Sequence, residues 1–330
     1  MGGREIHVLN TGGTISYAAD GSGLSASPET LLADLAVSAP VVYREILRKG
    51  SVNLTPADWA TLAEAAHAAL SAGADGVVVL HGTDTMAYTA AALSFLLQNL
   101  SVPVVLTGAM RPGGAPDSDA RQNLSDALAV AALGDLAEVC IVFSGVILRG
   151  NRARKRHSAA LDAFASPNLP PLGLVEGGRV RLGPAGARRA PRGEPRYAAG
   201  LDANVCRLAY HPGTTAEFVA RALATADGAV VEGTGLGHVP TEGGILEAIR
   251  SAAKPVVLVS ACWEGGVDLG GYDIDQEILA VDNIVPGDDM TPEAALAKLM
   301  WVLGRERALD RVKASMREPI AGELTAARAA

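Results

Sequence analysis

The sequence predicts an α/β protein: a larger N-terminal domain built on a doubly wound, mostly parallel sheet, then a smaller C-terminal α/β domain. Three observations lead there. Short, almost wholly apolar runs recur, IHVLN (6–10), GVVVLHG (76–82), PVVLTG (103–108) and EVCIVFSG (138–145). Alanine-rich stretches with helical spacing separate them, ADWATLAEAAHAALSAG (57–73) and TMAYTAAALSFLLQNL (85–100). The composition, 49% hydrophobic but only 4% aromatic, suits helices packed on sheets. Alternation of strand and helix implies a parallel sheet covered on both faces, and near-continuous valine and leucine fits strands buried on both sides.

The rhythm breaks at about 176–200, EGGRVRLGPAGARRAPRGEPRYAAG, a stretch rich in Gly, Pro, Ala and Arg. It is expected to be a hairpin-like excursion leading into an interdomain linker. The domains are therefore placed at 1–190 and 205–330, joined by a linker over 191–204. Alternation resumes with VCRLAY (205–210), GAVVEG (228–233) and PVVLVSAC (255–262). The second domain is expected to close with the helix PEAALAKLMWVLG, whose Pro292 suits a first helical turn.

The 330 residues carry a formal charge of −8, which gives no general attraction to nucleic acid or anionic membrane. Cys140, Cys206 and Cys262 are widely spaced and odd in number, with neither disulfide nor metal spacing, as befits a reducing compartment. MGGREIHVLN lacks the apolar core of a signal peptide and no run approaches transmembrane length, so a cytoplasmic location is expected.

In open parallel sheets function gathers on loops at the carboxyl ends of the strands. TGGTIS, HGTDTM, TGAMRPGG, SGVILRGNRARK, EGTGLGHVP and SACWEGG are thereby expected along one rim. In HVLNTGGTIS the strand runs into Gly12-Gly13, residues that take positive φ cheaply, and Thr14 projects from the turn. A threonine hydroxyl is a weak nucleophile that needs a nearby base. Thr83 and Asp84 supply a second hydroxyl beside a carboxylate, and Lys155 a candidate base. Taken singly, each has a plainer reading. A strand-end threonine caps turns, Asp84 can cap the following helix, Lys155 sits in the basic cluster RGNRARKRH, and His81 reads as structural.

Together, TGGTI and HGTDTM resemble the L-asparaginase/glutaminase family of amidohydrolases. The resemblance continues through LTGAMRPGGAPDSDARQNLSDA, similar to that family's TGAMR…D…N segment, to MTPEAALAKLMWVLG near the C-terminus. It implies that Thr14 is the primary nucleophile, attacking a side-chain amide carbonyl, releasing ammonia and forming an acyl-enzyme. It implies that Thr83 belongs to a second hydroxyl site with Lys155 as basic partner, and that Asp84 completes the charge network and holds the substrate's α-ammonium. Gly150, Lys155 and Phe164 keep the family spacing. Ser51, in GSVNLTPADW, matches the serine that binds the α-carboxylate.

Several positions depart from the pattern. Leu24 stands where one register expects a lid tyrosine, and Tyr17 is the only tyrosine of that loop, a candidate for the phenol. Val52 replaces a glutamine beside the carboxylate-binding serine, and His238 replaces an asparagine that reaches a neighbouring subunit's site. For the glutamate contributed across that interface, ungapped counting lands on Tyr272. Missing hydrogen bonds of this kind alter specificity by orders of magnitude when a site was built around them. The expected substrate is therefore L-asparagine or an asparagine-like derivative. Two alternatives stand: an ammonia-generating amidotransferase subunit, against which the acidic chain and its prompt start at the first strand argue, and a non-catalytic amino-acid-binding homologue. The resemblance further implies a homodimer or homotetramer. No cofactor is implied, since hydroxyl attack, a lysine and oxyanion donors suffice, and the glycine motifs lack phosphate-loop or dinucleotide spacing.

Overall fold

The structure, a computed structural model, describes residues 5–18, 28–33, 35, 39–134, 136–184 and 194–325. The chain divides into two compact units, Met1–Ala199 and Gly200–Ala330.

In the first unit the elements run β1 (Ile6–Gly12), α1 (Pro28–Ala33), β2 (Val41–Lys49), α2 (Pro56–Ser71), β3 (Gly76–Leu80), α3 (Met86–Leu96), β4 (Leu97–Gln98) and β5 (Val104–Thr107). There follow α4 (Ala120–Ala131), β6 (Val139–Phe143), β7 (Val146–Arg149), β8 (Arg154–Lys155), β9 (Phe164–Ala165), β10 (Gly173–Glu176), β11 (Arg179–Leu182) and β12 (Arg196–Tyr197). Eight strands form one sheet in the order β11-β10-β7-β6-β5-β3-β1-β2. β2, β1, β3, β5 and β6 are parallel, whereas β7, β10 and β11 pair antiparallel. Every residue of β3, β5 and β6 is buried, as their unbroken apolar sequences demand. One face carries a core of Ile6, Val8, Val78, Val105 and Val142 packed on Leu124, Ala127 and Leu128 of α4. α2 starts at a well-made cap: Pro56 occupies the first turn, and Asp58 Oδ2 accepts the Thr55 N–H (2.8 Å) and hydroxyl (2.9 Å).

The second unit contains β13 (Val205–Ala209), α5 (Ala216–Thr225), β14 (Gly228–Gly233), α6 (Ile245–Ala252), β15 (Val256–Ser260), α7 (Asp273–Leu279), β16 (Ile284–Pro286), α8 (Pro292–Leu303) and α9 (Leu309–Arg317). Its four parallel strands lie in the order β13-β14-β15-β16. Val231, Val256 and Leu258 pack with Leu223, Leu246 and Ile249 on one face, and Val230, Val257 and Val259 with Leu299, Val302 and Val312 on the other.

Four expectations need correction. β2 was not anticipated: it is an edge strand whose VVYREILRK mixes exposed and half-buried residues, so it lacks the apolar signature of its neighbours. The chain does not close with α8, because the amphipathic α9 covers the same face after it. The hairpin near 176 begins at Gly173 and is the edge of the main sheet, pairing with β7, and not a separate excursion. The six loops expected on a single rim belong to two different sheets.

Candidate active site

At the carboxyl end of β1 the backbone turns through Gly12 (φ 99°) and Gly13 (φ 81°), then winds one 3-10 turn over Thr14–Ser16. Both glycines are required. A side chain on Gly12 would meet the Lys49 carbonyl oxygen at 2.6 Å, and one on Gly13 would strike the backbone of Gly82. The TGGT and HGT loops therefore touch backbone to backbone, which places Thr14 and Thr83 on adjoining segments. Gly82 is pressed from the other side by Ser51, whose Oγ would stand 2.6 Å from a Cβ at that position. Three loops, following β1, β2 and β3, meet around this one glycine.

The two threonines of the first loop divide their work. Thr11 is buried and its hydroxyl donates to the Leu80 carbonyl at 2.8 Å, tying β1 to β3. Thr14 is half-buried, and no described residue bonds its hydroxyl. Thr83 is buried, and Lys155 Nζ donates to its Oγ1 at 2.8 Å and to Asp84 Oδ1 at 2.7 Å. Asp84 is thus bonded to the lysine and does not cap α3, whose N-cap is Thr85. The Thr85 hydroxyl instead donates to the Ser51 carbonyl at 2.8 Å, holding the β2 and β3 loops together.

Lys155 arrives by an indirect route. The antiparallel β7 carries the chain away from the carboxyl end of β6. The buried turn Gly150–Arg152 then passes beside Ala90 of α3, and the chain returns with Lys155 to the start of that helix. A loop directly following β6 was the wrong picture; an antiparallel strand and a buried crossing deliver the amine.

His81 is fully buried. Burial, partly offset by the Gly82 carbonyl that accepts from Nδ1 at 2.7 Å, lowers its pKa to about 4. The ring is therefore neutral at pH 7 and braces the loop. Tyr17 keeps its N–H on the Thr14 carbonyl (3.1 Å), and its phenol lies over Gly50, 3.8 Å from where a Cβ would be. Val52, 67% exposed, follows Ser51 in the turn Ser51–Asn53. Thr14, Tyr17, Ser51, Val52, Thr83, Asp84 and Lys155 all belong to the first unit. His238 belongs to the second, where its Nε2 donates to Asp275 Oδ1 at 2.8 Å and its ring meets Tyr272 edge-on at 5.8 Å. Leu24 lies outside the described residues.

Sequence reasoning overlooked Gly82 as the hub, and it matched Asp119 and Asn123 only as part of the TGAMR…D…N segment, without the hydrogen bonds by which they hold the loop after β5. Their i, i+4 spacing around a helix start was the available signal. Among the described residues no group of three or more His, Cys, Asp or Glu could hold a metal ion, and no helix is long and apolar enough to cross a membrane.

This architecture has known relatives. The asparaginase N-terminal family model matches residues 5–185, and the glutaminase/asparaginase C-terminal domain model matches residues 204–316. The L-asparaginase of Thermococcus kodakarensis is 41% identical over 333 residues, covering 97% of this chain and 99% of that protein. A solved thermostable L-asparaginase from the same organism superposes with a TM-score of 0.90 at 38% identity, covering 97% of this chain and 99% of that one. L-asparaginase I of Vibrio cholerae gives 0.88 at 33%, covering 98% and 99%. A glutamyl-tRNA(Gln) amidotransferase subunit of Pyrococcus furiosus is 36% identical over 339 residues, 97% of this chain but 76% of that relative. The chain thus belongs to the asparaginase family, as an L-asparaginase-like amidohydrolase of linear amides.

Proposed function

We propose that the protein hydrolyses the side-chain amide of L-asparagine or an asparagine-like derivative through an acyl-enzyme on Thr14. One observation carries this reading: two apposed loops present two hydroxyls, of which one is held by a lysine–aspartate pair and the other is left unengaged. In the first step Thr14 Oγ1 bonds to the carboxamide carbon and gives up its proton. The tetrahedral centre then collapses, the carbon–nitrogen bond breaks and the nitrogen leaves, protonated, as ammonia. Water adds to the resulting ester, the Thr14 oxygen regains a proton, and the carboxylate product departs. Because the Thr83 oxygen accepts from Lys155, its own proton remains available for donation, which suits proton transfer in both steps. Asp84 engages only Oδ1 among the described residues, and its 59% exposed side chain leaves Oδ2 to receive an α-ammonium. Ser51 stands against the same hub to receive the α-carboxylate.

Ammonia release tests the reading. Wild type should turn over asparagine or a derivative bearing its amide end, and stop with Thr14→Ala; intact-mass analysis of quenched wild type should reveal an acyl adduct on the Thr14 peptide. Turnover by Thr14→Ala at the wild-type rate would end it. The family resemblance supports a homodimer or homotetramer, measurable by light scattering.

A second reading rests on the amidotransferase relative: the same site could supply ammonia to a tRNA-dependent amidotransferase. Ammonia release that rises on adding a copurifying partner and glutamyl-tRNA would favour it.

A further inference from the structure

The TGAMR…D…N segment is singled out by the sequence yet has no part in the chemistry above. Its polar residues hold a loop that is hydrogen-bonded to the Thr14 turn. Asp119, immediately before α4, accepts the N–H of Met110 at 3.0 Å on both oxygens, the N–H of Arg111 at 3.0 Å and Asn123 Nδ2 at 2.9 Å. Asn123, buried one turn further on, also donates Nδ2 to the Gly108 carbonyl at 3.0 Å and accepts the Ser144 N–H on Oδ1 at 3.0 Å. Both ends of the 108–111 backbone are thus fixed to the start of α4 and to the β6–β7 turn.

The far side of the same loop grips the Thr14 turn. The Gly113 N–H donates to the Thr14 carbonyl at 3.0 Å, and the Gly114 N–H to the Tyr17 carbonyl at 3.1 Å. Gly113 also lies so close to the Ile15 carbonyl that no side chain fits there. These bonds clasp the 3-10 turn at both ends. Elsewhere the turn is held by Lys49 through the Gly13 N–H at 3.1 Å, by the apposed Gly82, and by Asn10, whose Oδ1 accepts the Gly12 N–H at 3.0 Å and the Ser16 hydroxyl at 3.4 Å. The hydroxyl of Thr14 has no hydrogen bond of its own among the described residues to hold it, so its place is set by the backbone that carries it.

We propose that Asp119 and Asn123 are positioning residues for Thr14, acting through the 108–114 loop. The proposal rests on Thr14 being the nucleophile. Removing an acceptor or donor from this pair loosens the loop, lets the Thr14 turn drift and lowers the rate of attack, while substrate groups held by Asp84 and Ser51 still bind. A displacement of about 1 Å at a reacting atom costs on the order of 100-fold in rate.

Asp119→Asn and Asn123→Ala test this by steady-state kinetics, by the rate of acyl-adduct formation and by amide hydrogen exchange. Val130→Ala, a core truncation in α4 that touches neither residue, controls for lost stability. For both brace variants kcat and the acylation rate should fall roughly 10- to 100-fold with KM within about twofold. Exchange should quicken at Gly113, Gly114 and Tyr17 while β3 and β6 stay protected. Val130→Ala should lower Tm yet keep kcat. The proposal is overturned if the brace variants keep wild-type kcat, if KM alone changes, or if exchange quickens uniformly through the unit as in Val130→Ala. Failure of the nucleophile reading is separately visible, since Thr14→Ala would then retain turnover whatever the exchange at Gly113 and Gly114 shows.

Discussion

Both units end parallel strands in loops rich in polar residues, yet the two sets of loops use their hydrogen-bonding capacity differently. In the second unit Asp275 is fully buried, with Oδ2 accepting the N–H groups of Gly270, Gly271 and Tyr272, each at 2.9 Å, and Oδ1 accepting from His238. Burial pushes its carboxyl up, but the Tyr272 N–H, His238 and the two glycine N–H groups outweigh this and hold it below the usual range. Both oxygens of Asp275 are engaged by the protein. In the first unit the Thr14 hydroxyl is unengaged and Asp84 is mostly exposed with one oxygen occupied. A strand-end cluster becomes a candidate site when its groups are held in place but not satisfied.

The contrast breaks most visibly at Thr14. Thr14→Ala should lower ammonia release by on the order of 10⁴-fold or more, since the loop's other aliphatic hydroxyls, Thr11 and Ser16, are buried and bonded to the Leu80 carbonyl and to Asn10 Oδ1. Lys155→Met, which strips Thr83 and Asp84 of their shared donor, should cost roughly 100- to 1,000-fold in kcat. Asp275→Ala strands three backbone N–H groups and His238 in the second unit, and its effect should appear as a lower Tm for that unit in calorimetry. If Asp275→Ala, assayed far below its Tm, impairs kcat as severely as Lys155→Met, the distinction between the two loop clusters is lost.

The same contrast explains what could be read from the sequence. β1, β3, β5 and β6 were legible because burial on both faces leaves short runs rich in valine, leucine and isoleucine, too short for an ordinary helix and mostly bounded by glycine or proline. β2 was not, because an edge strand beside solvent keeps Arg44, Glu45 and Arg48. Thr14, Thr83 and Asp84 lie within a few residues of readable strands, so their placement on the loops followed. Lys155 sits in a two-residue strand reached by an antiparallel turn, and only motif resemblance, not periodicity, brought it near Thr83. The contact between Gly13 and Gly82 is a tertiary fact: glycine in sequence signals close approach without naming what approaches.

His81 sharpens the comparison through pH. Its pKa, about 4 in the folded protein against about 6.5 in an unfolded chain, means that between these values only the unfolded state binds the proton. Stability from this group is fully present above about pH 6.5 and is lost as pH falls towards about 4, for a total of about 3 kcal/mol. Denaturant unfolding at pH 7, 5.5 and 4 should show this slope, and His81→Gln should remove it. An equal slope in His81→Gln would assign the acid sensitivity to other groups.

The smallest effect concerns recognition. Val52 projects into solvent beside Ser51, 67% exposed, and offers no hydrogen bond to an amino-acid head group. Val52→Gln adds an amide at a position whose neighbour already faces the hub glycine, so it should lower KM for free L-asparagine by about two- to tenfold, the worth of one added hydrogen bond. Because the amide touches the head group and not the scissile carbon, kcat should stay within about twofold. For an N-acylated asparagine, which lacks the free head group, KM should stay level or rise. A fall in kcat without any change in KM would place Val52 outside the binding surface and leave the first unit's selectivity to Ser51 and Asp84.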